Sequence, residues 1–386
     1  MKSYKISQLV PYLDNLEREN LNKVLDNKWL TEGPYSQKFI EMIKEFTGAK
    51  YALLANNGTL GLYLSMLTLD IKKGDEVIVP NLTYNATAST VTFVGAKPVF
   101  AEINCSHENK ICNKNCDNLL CNSSDLQINT HEIESLITQN TKAIVPVHLY
   151  GQACDMDKII SVSKKYNLKI IEDAAQGFGV FYDKKHTGTI GDIGVISFFA
   201  DKTITTGEGA VILTNSEDIY SKMKLIRNQG RENSGTFIHP SLGMNFRMTD
   251  LQCAIGVAQI EKFNFIKEKK LENYSLYEKY LSDVPEVKFL EKSKNSNFIP
   301  FRASILVENA EKLMKYMEDS LIQTRGFFFP LHRQPCFSYL GYSEDSFPIS
   351  NLAHNKGVCL PVHLNLKKED IKFVCDKIKS FYDKKY

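Results

Sequence analysis

Lys202 stands in the run SFFADKTITTGEG at 197–209, where an apolar stretch gives way to small polar residues and glycine. A lysine placed after a buried strand on a tight turn can face a cleft. Partial desolvation there lowers the pKa of its amine, and a neutral amine forms a Schiff base with an aldehyde. Taken alone, the segment also describes a solvated lysine in a glycine-containing hairpin, because most lysines are solvated.

Asp173, in IIEDAAQ at 170–176, gives the lysine a context. A carboxylate at the tip of a buried strand requires a positive partner. A protonated pyridine nitrogen is one, and its protonation makes the ring an electron sink. The same aspartate also reads as a cap for the next helix. Gln176 follows within reach of a ring oxygen.

Asn57, Gly58 and Thr59 lie between a predicted strand and a helix, where free N–H groups and the positive dipole end favour a phosphate. A plain strand-to-helix turn has the same appearance. Ser197 offers a hydroxyl to the same phosphate. Tyr84, in PNLTYNATA at 80–88, follows another strand and can stack on a flat heterocycle or pack in a core. Together these residues describe a cup for one ring carrying an aldehyde, a phosphate and a basic nitrogen. Neither G-x-x-x-x-G-K-[ST] nor G-x-G-x-x-G after a first strand occurs.

The elements that must position these groups are short apolar runs at 52–55, 76–79, 143–147, 169–171, 194–199 and 210–214, read as buried strands. Helix-period stretches at 61–69 and 156–166 fall between them. Strands alternating with helices imply an α/β fold with a mostly parallel central sheet flanked by helices, and ligands beyond the strands' carboxyl ends. Thr249 reads as the N-cap of a long linking helix, and 369–382 as an amphipathic terminal helix. The predicted layout is a large domain over 1–248 and a linking helix with a smaller C-terminal α/β domain over 249–386.

With 47 basic and 45 acidic residues the net charge is +2, which gives no global field for nucleic acid or an anionic membrane. The N-terminal segment lacks an apolar leader, and no apolar run approaches the ~18 residues of a membrane span. A cytoplasmic location is expected. The 9 cysteines are therefore expected to be reduced.

The ordered motifs WLTEGP at 29–34, TGAKY at 47–51, GDEVIVP at 74–80, VHLYG at 147–151, EDAAQ at 172–176, GDIG at 191–194, MNFRM at 244–248 and KEDIK at 368–372 carry a specific likeness. Along nearly its whole length the sequence resembles the DegT/DnrJ/StrS-type sugar aminotransferases, a branch of the fold-type I pyridoxal-phosphate enzymes. The lysine segment looks most like that of the GDP-perosamine synthase subgroup.

The resemblance implies a homodimer with its active site at the subunit interface. It assigns Lys202 to the aldehyde of pyridoxal 5'-phosphate, Asp173 to the pyridine nitrogen and Gln176 to the ring hydroxyl. It also assigns Gly58, Thr59 and Ser197 to the phosphate, Tyr84 to the ring face, and Asn245 to the partner's site. Thr31, Glu32, Gly33 and Pro34, with His332, match the substrate side. No metal is implied. Retention of Lys202 points to transamination, because members with histidine there are dehydratases. L-glutamate is the implied donor, a nucleotide-linked keto-sugar for surface glycan synthesis the implied acceptor, and ping-pong kinetics the implied order. A small phosphorylated ketone such as dihydroxyacetone phosphate is the alternative acceptor.

Three departures stand out. Asp201 replaces the subgroup's usual asparagine, adding a charge that raises the lysine's pKa or repels an anionic substrate group. Gly326 replaces a proline, which loosens its loop. An insertion at about 104–127 carries Cys105, Cys112, Cys116 and Cys121. Their spacing does not match a zinc ribbon and reads as a loop of reduced thiols, with binding of Zn²⁺ by the four thiolates as the alternative.

Overall fold

The computed structural model describes residues 3–104, 124–232, 235 and 237–384. The four clustered cysteines lie outside the described residues. In the first half, α1 (Asn15–Asn27), α2 (Pro34–Thr47), β1 (Tyr51–Ala55), α3 (Gly58–Thr68), β2 (Glu76–Pro80), α4 (Ala86–Phe93) and β3 (Lys97–Ala101) lead to β4 (Thr141–Ile144), α5 (Met156–Tyr166) and β5 (Lys169–Asp173). A two-residue hairpin, β6 (Phe181–Tyr182) and β7 (Lys185–His186), precedes β8 (Ile193–Ser197), β9 (Ala210–Thr214) and α6 (Glu217–Arg227). Then come α7 (Asp250–Glu261), α8 (Phe263–Tyr280), β10 (Val287–Phe289), β11 (Ala303–Val307) and α9 (Ala310–Asp319). The chain ends with β12 (Arg325–Gly326), α10 (Pro348–Lys356), β13 (Gly357–Leu360) and α11 (Lys368–Asp383).

Seven strands form the main sheet in the order β1-β9-β8-β5-β4-β2-β3. Only β9 runs antiparallel to its neighbours; the pairs from β8 to β3 are parallel. Both faces are covered, so the central strands are apolar throughout rather than alternating. One face packs Phe39 and Ile43 of α2, Ile159 of α5 and Val257 of α7 against Leu54, Ile78, Ile144 and Ile196. The other packs Leu62 and Met66 of α3, Val91 of α4 and Met223 of α6 against Val77, Val79, Val195 and Ile212. Full burial of each such side chain contributes about 2 kcal/mol.

The structure refines the sequence reading at three places. The regular strand in the run at 143–147 ends at Ile144, ahead of Pro146, which has no N–H to donate; the run still follows β5, with the Pro146 carbonyl accepting from Asp173 N at 2.9 Å and Val147 bridging to Asp173. β3, absent from the expectation, begins Lys97-Pro98 and takes the sheet edge, the position where a strand proline is tolerated. The expected single linking helix breaks at Lys262 (φ −96°, ψ 3°), whose ammonium pairs with Glu17 at 2.5 Å and Asp14 at 3.0 Å.

A second sheet, β10-β11-β13-β12, is wholly antiparallel. Its core joins Tyr274 and Tyr277 of α8, Leu313 of α9 and Ile371 and Ile378 of α11. Ile6 belongs to this core and bridges to Ile322, so the N-terminal strand-like segment ties into the last third of the chain. Among the described residues, no helix is long and apolar enough to cross a membrane.

Candidate active site

The lysine turn grows from the end of β8. Lys202 N donates to Phe199 O at 3.0 Å, Thr206 N to Phe198 O at 2.9 Å, and Gly207 N to Thr205 Oγ1 at 2.9 Å. Gly207 has φ +82°, and at Gly209 an added Cβ would lie 2.3 Å from Thr206 Oγ1. Both glycines are thus demanded by the turn. The Lys202 side chain is 15% exposed, and its amine lies 4.6 Å from the centre of the Phe301 ring. Burial pushes the amine pKa down, against the opposing pull of Asp201 and Asp173.

Asp173 closes β5 and is buried. Its Oδ2 accepts from Thr87 Oγ1 at 2.8 Å and its Oδ1 from Ala175 N at 3.2 Å. Burial raises its pKa, partly offset by those donors and by the charge of Lys202. The neighbouring Glu172 points to the other side of the strand, where His148 Nε2 (2.9 Å) and the N–H groups of Gly188, Ile190 and Gly191 (2.7, 2.7 and 2.6 Å) surround it. The VHLYG, EDAAQ and GDIG motifs therefore meet at one buried carboxylate.

Gly58 opens α3 with Asn57 as its N-cap, the Asn57 side chain accepting from Leu60 N at 2.9 Å. The Gly58 and Thr59 N–H groups have no acceptor among the described residues. An added Cβ on Gly58 would stand 3.1 Å from Ser197 Cβ, so the two predicted phosphate residues adjoin and the space between them depends on glycine. Gln176 accepts from Tyr150 N at 2.7 Å, which commits its carbonyl and leaves its amide NH2 without a partner among the described residues. Tyr150 pays for this arrangement with a left-handed backbone (φ +55°). Tyr84 is 63% exposed and meets Phe328 edge-on, and Phe328 in turn stacks on Tyr150.

The other predicted residues are placed differently. Thr31 O accepts from Asp250 N at 3.2 Å, Gly33 N donates to Asp250 Oδ1 at 3.0 Å, and Pro34 starts α2. Glu32 forms an ion pair with the buried Arg227 and lies 3.7 Å from Arg247 Nε. This loop is thereby fixed to the N-terminus of α7 and to α6. His332 is buried with both ring nitrogens engaged: Nδ1 by Asn81 Nδ2 at 2.9 Å and Nε2 by Glu344 O at 3.0 Å. Asn245 is exposed, and its Oδ1 accepts from Arg247 N at 3.1 Å.

Pyridoxal phosphate (PLP) fits these residues. It needs donors for a phosphate, a carboxylate for its ring nitrogen, a donor for its ring oxygen and a desolvated lysine. The free N–H groups of α3, a buried aspartate held by two donors, the Gln176 amide unpartnered among the described residues, and the mostly covered Lys202 supply that set. Sequence reasoning missed Thr87, Arg302 and Phe301 around it. Thr87 sits three residues after Tyr84 in a segment already singled out; the other two belong to no motif.

A largely desolvated lysine and a buried strand-end carboxylate at the carboxyl edge of such a sheet define a PLP-dependent aminotransferase. Comparison with known proteins gives the class its family. The chain belongs to the DegT/DnrJ/EryC1/StrS aminotransferase family, whose model matches residues 11–379. It is 36% identical over 379 residues to the GDP-perosamine synthase of Escherichia coli O157:H7, covering 97% of this chain and 98% of that one. It is 35% identical over 374 residues to the GDP-perosamine synthase of Caulobacter vibrioides, covering 95% of each. The fold matches that of Helicobacter pylori PseC, an aminotransferase involved in the biosynthesis of pseudoaminic acid, with a TM-score of 0.85, 26% identity and coverage of 99% and 100%.

Proposed function

We propose that this enzyme moves an amino group from L-glutamate to a nucleotide-linked keto-sugar used for surface glycan synthesis. The observation that carries the reading is that Asp173, buried at the end of β5, and Lys202, on the turn that follows the neighbouring β8, lie within each other's electrostatic reach. The GDP-perosamine synthases among its relatives favour a sugar nucleotide over a small phosphorylated ketone.

When bound, PLP supplies an electron sink for negative charge at the substrate carbon. Lys202 holds the cofactor; once displaced by the donor's amine, its Nζ takes the proton from the donor's α-carbon and later returns one. Desolvation favours the neutral amine that can accept the proton, while the charges of Asp201 and Asp173 pull the other way. Asp173, oriented by Thr87, supports a protonated ring nitrogen. The Gly58 and Thr59 N–H groups and the Ser197 hydroxyl receive the phosphate, the Gln176 amide the ring oxygen, and Tyr84 covers one ring face. Thr31 to Pro34 border the substrate side. His332 supports that side through the Asn81 turn.

The reading includes a cytoplasmic homodimer in which Asn245 serves the partner's site. Apolar side chains at Phe237, Ile238, Leu242 and Met244, each at least half exposed, favour a covered surface around that residue. The test is a panel of GDP-, dTDP- and UDP-linked 4-keto-sugars beside small keto-phosphates, offered to enzyme bleached with L-glutamate. A keto-sugar nucleotide should restore the visible band of the cofactor. Restoration by keto-phosphates alone would replace the acceptor, and no bleaching by glutamate would replace the donor.

A further inference from the structure

Behind Lys202 lies a small cavity of about 40 Å³, walled by the lysine turn, Phe301 and Arg302 ahead of β11, Lys270 of α8 and His363. Asp201 reaches into this space. Its Oδ2 is taken by the buried Arg302 guanidinium, with Arg325 Nη1 at 4.0 Å. Its Oδ1 is buried and accepts no hydrogen bond. An orphaned buried acceptor of this kind costs about 1–3 kcal/mol and calls for a partner, which water or a moving cationic side chain can supply. The Lys202 amine stands 3.8 Å away, too far for a hydrogen bond and near enough to close on a small side-chain shift.

We propose that Asp201 is a positioning residue for transamination: its free Oδ1 receives the Lys202 ammonium whenever that amine is released from the cofactor. The inference rests on the reading of Lys202 as the cofactor lysine. In the step concerned, a substrate C–H bond breaks as an Nζ–H bond forms, and the proton later leaves Nζ for carbon. Asp201 neither gains nor loses a proton; it holds the ammonium in place between the two transfers. Arg302 keeps the carboxylate aimed, so that only Oδ1 is open to the lysine. The Phe301 face beneath Nζ favours the same cationic form.

The charged groups facing Lys202 are Asp201 on its own turn, Asp173 at the end of β5, and Arg302. Lys270, His363 and Tyr12 line the cavity beyond. Lys270 has no hydrogen-bond or ion-pair partner among the described residues. Burial, followed by the charge of Arg302, brings its pKa down to about 7. Burial lowers that of His363 as well. Neither is therefore a strong competitor for Asp201 at slightly alkaline pH.

The test is competitive acylation of Lys202 in the cofactor-free, full-length protein across pH, read by peptide mass spectrometry. Asp201→Asn should move the labelling curve of Lys202 to lower pH by about one unit, because the ammonium loses its acceptor. Arg302→Met leaves Asp201 unopposed and should move the curve the other way. In the loaded enzyme, Asp201→Asn should lower kcat about tenfold with KM for the keto substrate nearly unchanged. An Asp201→Asn curve that overlies the wild type, or moves upward, overturns the proposal while leaving the role of Lys202 intact. If the cofactor instead maps to another lysine, the reading beneath it fails separately.

Discussion

The Thr87 hydroxyl donates to Asp173 Oδ2 at 2.8 Å, so a residue of α4 orients the carboxylate that ends β5. Thr87 is fully buried, and its oxygen also lies 3.2 Å from Thr83 Oγ1, which fixes its rotamer. Thr87→Val keeps the shape and removes the donor. Loss of that bond raises the proton affinity of Asp173, so the carboxylate is neutralised at higher pH than in the wild type. The expected outcome is a fall in kcat of about tenfold at neutral pH, with the acid limb of the kcat profile moved upward by about one unit. A profile unchanged in position would separate Thr87 from the function of Asp173.

Gly58 tests the phosphate cup without touching the lysine. A methyl group there would meet Ser197 Cβ at 3.1 Å, inside the space between the two residues. The φ of Gly58 lies outside the left-handed region, so Gly58→Ala acts through space and not through backbone strain. Retention of PLP should weaken by about tenfold, roughly 1.4 kcal/mol, while thermal stability of the cofactor-free protein changes little. Equilibrium dialysis of the cofactor measures the first and calorimetry the second. Equal retention by both proteins would move the phosphate elsewhere.

Glu172 gives a prediction about acid. Burial is the largest single influence on it and pushes its pKa up. The His148 ring and the backbone donors of the 188–191 turn outweigh burial and hold the pKa below the ordinary carboxylate range. With the folded value below the unfolded one, the unfolded chain binds the extra proton first. The stabilisation is therefore present above about pH 4.3 and is lost as pH falls through the folded value. Glu172→Gln should cost about 3 kcal/mol at pH 7, and the gap from the wild type should narrow below about pH 4. Urea unfolding at several pH values reads this; a gap constant with pH would show that charge at Glu172 contributes nothing.

Much of the candidate site was legible because its parts are local. Lys202, Asp173 and Gly58 each sit in a short segment where a strand ends and a turn or helix begins, and turn chemistry alone marks such places. The strands β1, β2, β4, β5, β8 and β9 were visible as apolar runs for the same reason, since burial on both faces leaves a continuous pattern. β3 was hidden by Pro98, whose meaning depends on whether its strand lies at an edge. The break at Lys262 depends on Glu17 and Asp14, residues far away in the chain.

Arg302 was illegible in the same sense. Its partner Asp201 lies 101 positions earlier, and no local pattern announces the pair. The charge at Asp201 was visible as a departure from the family, but its neutralisation was not. His332 was read from its motif as facing the substrate side. The structure engages both its ring nitrogens with Asn81 and Glu344, contacts that only the fold creates.

The most direct measurement is borohydride reduction of the purified, full-length protein followed by peptide mapping, with and without prior exposure to L-glutamate. Without glutamate, reduction should fix the cofactor covalently to the peptide carrying Lys202. After glutamate, the cofactor should have left the lysine carrying the amino group, and the adduct should be lost. An adduct on any other lysine, or labelling of Lys202 that survives excess glutamate, would contradict transamination at this residue.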